Sequence, residues 1–324
     1  MNILTNNLIK KICFDANIGK FIKTERIDEG GNNQAFKLFT EQNCYLLKKY
    51  FYSEEDTRDR LRNEFSFSNY AYDNNIREIA KPIYSNKKEK IAIFEFINGT
   101  KIKTIEQNHI NSAIDFIVRL NKHRLSKTAQ NLPLASEAVF SIEKHIKLVE
   151  NRIHKLEKLE NEEELQLFLT EQLNPYWGKA KQKALSYDLE LSNEDICISP
   201  SDFGFHNALI DANKNIFFID FEYAGRCDPA KLISDFFCQP EVPVDLKYKD
   251  LFIEILSPIF TEKLHLKERV DALFCLFRTK WVCIILNEFL KTGKERRLFA
   301  NSNNSIKLKQ QEQLAKAKQY LNDI

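Results

Sequence analysis

Apolar positions along this chain change their spacing once, close to residue 98. Before that point they come in short runs. Ala35 to Phe39 and Tyr45 to Phe51 have strand character, and Ile91 to Ile97 forms an apolar strand running into Asn98-Gly99. Asp56 to Tyr72 reads as a helix between them. Beyond Gly99 the spacing is helical: Thr104 to His123 carries Ile110, Ala113, Ile114, Ile117 and Leu120, and Thr104 with Gln107 suggests a capping box at its start. Between Ser136 and Glu160, Ile142, Ile146, Val149, Ile153 and Leu156 alternate four and three apart among charges, which predicts a long amphipathic helix. This run covers barely two heptads before Asn161-Glu162-Glu163-Glu164. It therefore reads as one arm of an intramolecular hairpin with Leu165 to Leu173 and the segment after Pro175, in preference to a coiled coil. Ile196 to Ser199, Ala208 to Ile210 and Asn215 to Ile219 are short apolar runs around a loop and a hairpin. After Asp228-Pro229, an N-cap followed by proline at the first helical position, the pattern is helical to the end. The expectation is a β-rich unit over 1–97 and a helical one over 98–324, with 136–190 as a helical insertion.

Composition narrows the class without choosing a function. At 324 residues, 43% hydrophobic, with 25 Phe against a single Met, the chain has enough apolar material for real cores. A net charge of +2 gives no sign of a nucleic-acid or membrane-surface binder. Lys10 and Lys11 interrupt what would be the core of a secretory signal, and no apolar run approaches the length of a membrane span. Seven scattered cysteines with no C-x-x-C pair fit a reducing compartment, so a cytoplasmic location is expected. His145 and His154, nine apart on the charged helix, read as surface residues.

The most specific chemistry lies in Ser199-Pro200-Ser201-Asp202-Phe203-Gly204-Phe205-His206-Asn207, followed by Ile219-Asp220-Phe221-Glu222. In-line transfer of a phosphoryl group needs one carboxylate beside the attacking hydroxyl. It also needs a carboxamide and a second carboxylate to hold Mg²⁺ against the nucleotide phosphates. Asp202, Asn207 and Asp220 have the residue types and order for those tasks. The bland alternative is a hairpin whose Asp and Asn residues only make turns. The N-terminal half weighs against it. Gly30-Gly31 lies in a turn between two strands where backbone amides can approach phosphate oxygens. Lys48 and Lys49 follow on the next strand, and Glu64 on the next helix. A strand lysine held by a helix glutamate is the kinase arrangement for locking a nucleotide. Adjacent lysines face opposite ways on a strand, so either could serve until the facing is known.

This ordered set, Gly30-Gly31-x-Asn33, Lys48, Glu64, the Phe94-Glu95-Phe96-Ile97 run, Asp202 to Asn207, Asp220-Phe221-Glu222 and Asp228-Pro229, resembles the aminoglycoside phosphotransferase/choline kinase superfamily over about residues 20 to 240. The resemblance implies an α+β, two-lobed protein-kinase-like fold, with a small β-rich N-lobe and a larger, mainly helical C-lobe. It implies Mg²⁺, ATP or GTP between the lobes, and phosphorylation of a hydroxyl on a small molecule. Asp202 would be the catalytic base, and Asn207 and Asp220 the metal ligands. Gly30, Gly31, Asn33, Lys48 and Glu64 would hold the phosphates, and the backbone of Glu95 to Ile97 the purine. The kinase V-A-I-K pattern aligns best on Leu46-Leu47-Lys48, which favours Lys48, with Lys49 the alternative. Asp235 matches a family aspartate that accepts hydrogen bonds from the catalytic-loop backbone.

Three features qualify the match. Only five residues separate Glu222 from Asp228, too few for the activation segment of a protein kinase. Pro200-Ser201-Asp202 stands where the family usually has H-G-D, so a bracing side chain is missing. Gly204 occupies a position where the family often has His, while His206 directly precedes Asn207. The expected partners are a nucleotide and a small-molecule acceptor such as a sugar or a cell-envelope precursor, bound between Asp202 and helices carrying Arg278, Trp281, Asn287 and Glu288. The alternative is a nucleotide-binding pseudokinase acting as a scaffold or regulator. Neither nucleic acid nor membrane insertion is expected.

Overall fold

The computed structural model describes residues 4–27, 33–52, 56, 58–187, 190–291 and 306–322. Its N-terminal part is a five-stranded antiparallel sheet in the order β1-β2-β3-β5-β4, built from β1 (Phe21–Ile27), β2 (Gln34–Thr40), β3 (Cys44–Lys49), β4 (Pro82–Asn86) and β5 (Ile91–Glu95). Helix α1 (Asn6–Asp15) covers one face and α2 (Arg60–Asp73) the other. Period-two alternation sorts the side chains: Leu47, Ile91 and Ile93 join Ile9, Ile12 and Cys13 of α1, whereas Leu46, Ala92 and Phe94 join Leu61 of α2. Lys48 lies on the α2 face, and Lys49 on the other. This settles the facing that the sequence left open.

The C-terminal part is a helical body around one large core. Helix α3 (Gln107–Asn121) buries Ile110, Ala113, Ile114, Phe116, Ile117 and Leu120. It starts later than Thr104. Glu106 is the N-cap, and its N–H donates to His109 Nδ1 at 3.1 Å, so the capping role expected of Thr104 falls to this pair. After the short α4 (Lys127–Gln130), α5 (Ile142–Glu157) buries the expected stripe; past α6 (Glu163–Phe168), α7 (Asn174–Leu185) packs with α5 against α10 (Leu266–Ile285), and α9 (Lys249–Leu256) packs on α3. Pro175 does not end the helix; a π-helical turn over Leu169–Leu173 precedes it. Its wider spacing accommodates a ring that lacks an N–H and clashes with the carbonyl four residues back.

His145 corrects the surface reading. It sits three residues after Ile142, on the apolar stripe, and is 1% exposed. Its Nε2 lies 3.0 Å from Asp228 Oδ2. Asp228 is the N-cap of α8 (Pro229–Cys238), a helix buried on every side. Arg269 of α10 donates to the same carboxylate from Nε at 3.1 Å and Nη2 at 2.7 Å. Three helices thus meet on one buried carboxylate.

Two small sheets carry the candidate chemistry on this body: β7 (Cys197–Ser199) with β10 (Gly225–Cys227), and β6 (Thr100–Lys101) with β8 (Ala208–Ile210) and β9 (Ile216–Phe218). A bridge from Ile79 to Phe218 and a hydrogen bond from Phe218 N to Glu78 O, 2.7 Å, tie β9 to the chain between α2 and β4. The last described element is the helix Ile306–Asn322.

Candidate active site

Lys48 pairs across the sheet with Ala35 and Ala92. Small neighbours leave its stem room to cross toward α2. There Nζ donates to both oxygens of Glu64, at 2.9 and 2.7 Å, and to Asp220 Oδ1 at 2.7 Å. Burial alone would drive this amine toward its neutral form. Asp220, Glu64 and Glu222 outweigh that and hold its pKa above the ordinary lysine value. Tyr50 Oη donates to Glu64 Oε2 at 2.7 Å and Phe221 N–H to Oε1 at 3.4 Å, fixing the glutamate between the two parts of the molecule. The sequence reading passed over Tyr50, although it is two residues from Lys48 and therefore on the same face. Lys49 is also buried, and burial lowers its pKa.

The facing leads to a direct expectation. Lys48→Ala should weaken nucleotide binding about tenfold or more, the loss typical of a charge-assisted hydrogen bond. Lys49→Ala should change it far less. Titration of both variants with a fluorescent nucleotide checks the order, and the reverse order moves the assignment to Lys49.

Gly30 and Gly31 lie outside the described residues. Asn33 is described, and its carboxamide is committed at both ends. Oδ1 accepts from Phe51 N–H at 3.1 Å, and Nδ2 donates to Glu222. Glu222 is further held 3.6 Å from Arg60 Nε, so the Asp220-Phe221-Glu222 turn is tethered to the end of β3 and the start of α2. Arg60, fully buried, is a second positioning residue that the sequence reading did not single out. At the end of β5, Glu95 N–H is taken by Lys81 O at 2.9 Å, whereas Ile97 N–H has no partner among the described residues.

The catalytic-loop candidates converge on the same cleft. Asp220 has φ +66°, a left-handed conformation uncommon for a non-glycine residue. Asn207 Nδ2 donates to Asp202 O at 3.0 Å, and Ile219 N–H to Asn207 O at 2.9 Å. The loop carrying Asp202 and Asn207 is therefore laced to the strand end carrying Asp220. His206 Nε2 lies 3.2 Å from Asp202 Oδ1. Burial raises the Asp202 pKa, but the hydrogen bond and charge of His206 more than offset this, leaving the carboxyl below its ordinary value.

Ser201 also has a left-handed φ, +69°, at the position of the family's glycine. Its Oγ accepts from Lys231 Nζ at 3.2 Å and its N–H donates to Ser199 Oγ at 3.0 Å. The brace expected to be missing at Pro200 comes from here. Asp235 differs from expectation: it accepts from Lys231 Nζ at 2.9 Å, from Lys280 Nζ and from Trp281 Nε1 at 2.8 Å, and reaches the loop only through Lys231. With two buried ammonium groups at hand, its carboxylate has stronger partners than backbone amides.

Asn207 and Asp220 offer hard oxygen donors, the type Mg²⁺ takes. Among the described residues no cluster of three or more His, Cys, Asp or Glu side chains could hold a metal. Phosphate oxygens would complete the shell, as is usual for Mg²⁺ in phosphotransfer. The ammonium of Lys48 against Asp220 shows that the position favours a cation.

Beside Glu222 a cavity of about 610 Å³ opens, lined by Glu137, Arg152, Tyr223 and Asn287. Arg152 donates to Glu137, whose charge is also felt by Lys231 beside the catalytic loop. Of the four C-terminal side chains expected to form an acceptor wall, only Asn287 lines this cavity. Arg278 Nη2 donates to Tyr320 O at 2.7 Å, Trp281 is buried against Asp235, and Glu288 O accepts from Gln310. The opposite wall comes from the 136–190 segment, through Glu137 and Arg152.

Comparison with known proteins gives one family. No curated protein matches the sequence. Among solved structures, a spectinomycin phosphotransferase in complex with ADP and spectinomycin aligns at TM-score 0.65 and 14% identity, covering 98% of this chain and 95% of that one. The choline kinase LicA from Streptococcus pneumoniae aligns at TM-score 0.60 and 15% identity, covering 98% and 99%. A choline kinase from Cryptosporidium parvum aligns at TM-score 0.56 and 18% identity, covering 98% and 97%. At such identities these show a shared two-lobed kinase-like fold. The family model described as the phosphotransferase enzyme family matches residues 23–240, a span from β1 through the catalytic loop to the end of α8. The chain belongs to that phosphotransferase family and, with it, to the small-molecule kinases.

Proposed function

We propose that the protein transfers the γ-phosphate of ATP or GTP to a hydroxyl of a small polyhydroxylated molecule, such as a sugar or a cell-envelope precursor. The observation that carries this is the meeting of Lys48, Glu64 and Asp220 within hydrogen-bond distance, with Asn207 and Asp202 laced to the same turn. In this reading Lys48 and the turn containing Gly30 and Gly31 hold the phosphates, and Glu64 keeps the lysine in place. Ile97 N–H, with Glu95 beside it, receives the purine edge. Asn207 and Asp220 hold Mg²⁺, which neutralises charge on the phosphates when bound. Asp202 accepts the proton of the attacking hydroxyl, and its lowered pKa keeps it ionised for that role.

The acceptor hydroxyl must reach Asp202, which does not line the cavity beside Glu222, so an acceptor held in that cavity would have to extend past Glu222 toward the Asp202 loop. The wall of that cavity combines four carboxylates, two guanidiniums, an ammonium, two carboxamides and a single aromatic ring, Tyr223. That mixture suits several hydroxyl groups better than a quaternary ammonium, which calls for an aromatic cage. The pseudokinase alternative draws no support from the site, where the residues assigned here as base, metal ligands and phosphate-binding lysine are joined by hydrogen bonds.

Mg²⁺ with ATP or GTP should raise the melting temperature, since a ligand that binds only the folded state stabilises it. Asn207→Ala and Asp220→Ala should each reduce that rise by removing an oxygen donor. A rise that is independent of Mg²⁺, or unchanged in both variants, contradicts the metal assignment.

A further inference from the structure

His206 and Gly204 have no assigned role in the reaction outlined above, yet their geometry is specific. His206 Nε2 is 3.2 Å from Asp202 Oδ1, and its ring is largely buried. Nδ1 is buried with no hydrogen-bond partner among the described residues. Among the described residues, Asp202 is therefore the one hydrogen-bonding contact that orients this imidazole. Gly204 provides the room for it. A Cβ built at Gly204 would lie 2.7 Å from His206 Nδ1, 3.0 Å from Cε1 and 3.1 Å from Gln239 Cγ.

The backbone does not require glycine at this position, because a φ of 168° is extended and open to any residue. The requirement is for space. Gln239 cannot easily give way, since its Oε1 accepts from Glu241 N–H at 3.0 Å and Val242 N–H at 3.1 Å while its Nε2 donates to Val242 O. A side chain at position 204 would therefore displace the imidazole.

We infer that His206 is a positioning residue for Asp202, with Gly204 as the gap that admits its ring. Nε2–H donates to Oδ1 and fixes the rotation of the carboxyl about its Cα–Cβ and Cβ–Cγ bonds, which leaves Oδ2 for the acceptor hydroxyl. Asn207 fixes the backbone of the same residue through Asp202 O, so the two contacts together hold both ends of Asp202. The inference rests on the phosphotransfer reading of the site. It adds that the orientation of the base depends on position 206.

Four proteins test it: wild type, His206→Ala, His206→Gln and Gly204→Ala, compared for Mg²⁺-dependent nucleotide turnover, nucleotide KM and the melting rise with Mg²⁺-ATP. Misplacing a reacting group by about 1 Å can cost on the order of 100-fold in rate. His206→Ala and Gly204→Ala should lose about 10- to 100-fold in kcat, with nucleotide KM and the melting rise unchanged. His206→Gln, which keeps an N–H donor of similar reach, should recover part of the loss. Wild-type kcat in both alanine variants overturns the positioning role while the phosphotransfer reading stands. The role is also overturned if KM and the melting rise deteriorate in step with kcat, since His206 would then only support the metal-binding loop. Equal loss in the Gln and Ala variants overturns it as well. A wild type that turns over no nucleotide overturns the underlying reading, and the positioning role with it.

Discussion

Asp202→Asn is expected to bind Mg²⁺-nucleotide nearly as tightly as the wild type and to turn it over at least about 100-fold more slowly, the usual scale for removing a general base. The substitution keeps the size of the side chain and an oxygen that can still accept from His206 Nε2. It leaves the backbone carbonyl that receives Asn207 Nδ2 untouched. What is lost is the negative charge and the ability to take a proton. Fluorescence titration for binding and steady-state kinetics for turnover separate the two effects. Turnover close to wild type rejects Asp202 as the base.

The second large effect is on stability and lies away from the chemistry. Asp228 is fully buried and accepts from Ala230 N–H at 2.8 Å, from Arg269 Nε and Nη2 and from His145 Nε2. Asp228→Ala takes the carboxylate from a wholly buried guanidinium, a change that typically costs about 3–5 kcal/mol. It also removes the N-cap of α8, the helix that supplies Lys231 to the catalytic loop. Burial opposes ionisation of Asp228, but His145 and Arg269 outweigh it and hold its pKa far below the ordinary carboxylate value. Its contribution is therefore complete above the unfolded-state pKa of about 4 and is lost as the pH falls below it toward the folded-state value. Urea melts of both proteins at neutral pH and at successively lower pH check this. The variant should be much less stable at neutral pH, with a shallower loss of stability on acidification. A deficit below about 1 kcal/mol at neutral pH contradicts the account of this carboxylate.

Strands, the long amphipathic helix and the catalytic hairpin were legible because each carries a periodic apolar signal or a turn signal of its own. Ile142 to Leu156 is an example: every apolar position of its stripe is buried. The Asp202, Asn207 and Asp220 spacing was legible because a tight loop and hairpin keep sequence neighbours close in space. Partners distant in sequence were not legible. His145 and Asp228 are 83 residues apart, and the histidine looks like a surface residue until Arg269 is placed beside the same carboxylate. Its one local signal was its position three residues after Ile142, on the apolar stripe. Asp235 was misread for a related reason, since Lys280 and Trp281 reach it from a helix 45 and 46 residues further on. The facing of Lys48 and Lys49 needed α1 and α2 in place. The cavity wall needed α5 packed against α10 before Arg152 and Asn287 could be seen to share one space.

Transfer of label from γ-³²P-ATP or γ-³²P-GTP to a library of small metabolites, run in parallel with wild type and Asp202→Asn, tests the central claim most directly. The account predicts Mg²⁺-dependent label on one or a few polyhydroxylated small molecules with the wild type and almost none with the variant. Label only on proteins or quaternary amines, or equal labelling by the two proteins, would contradict it.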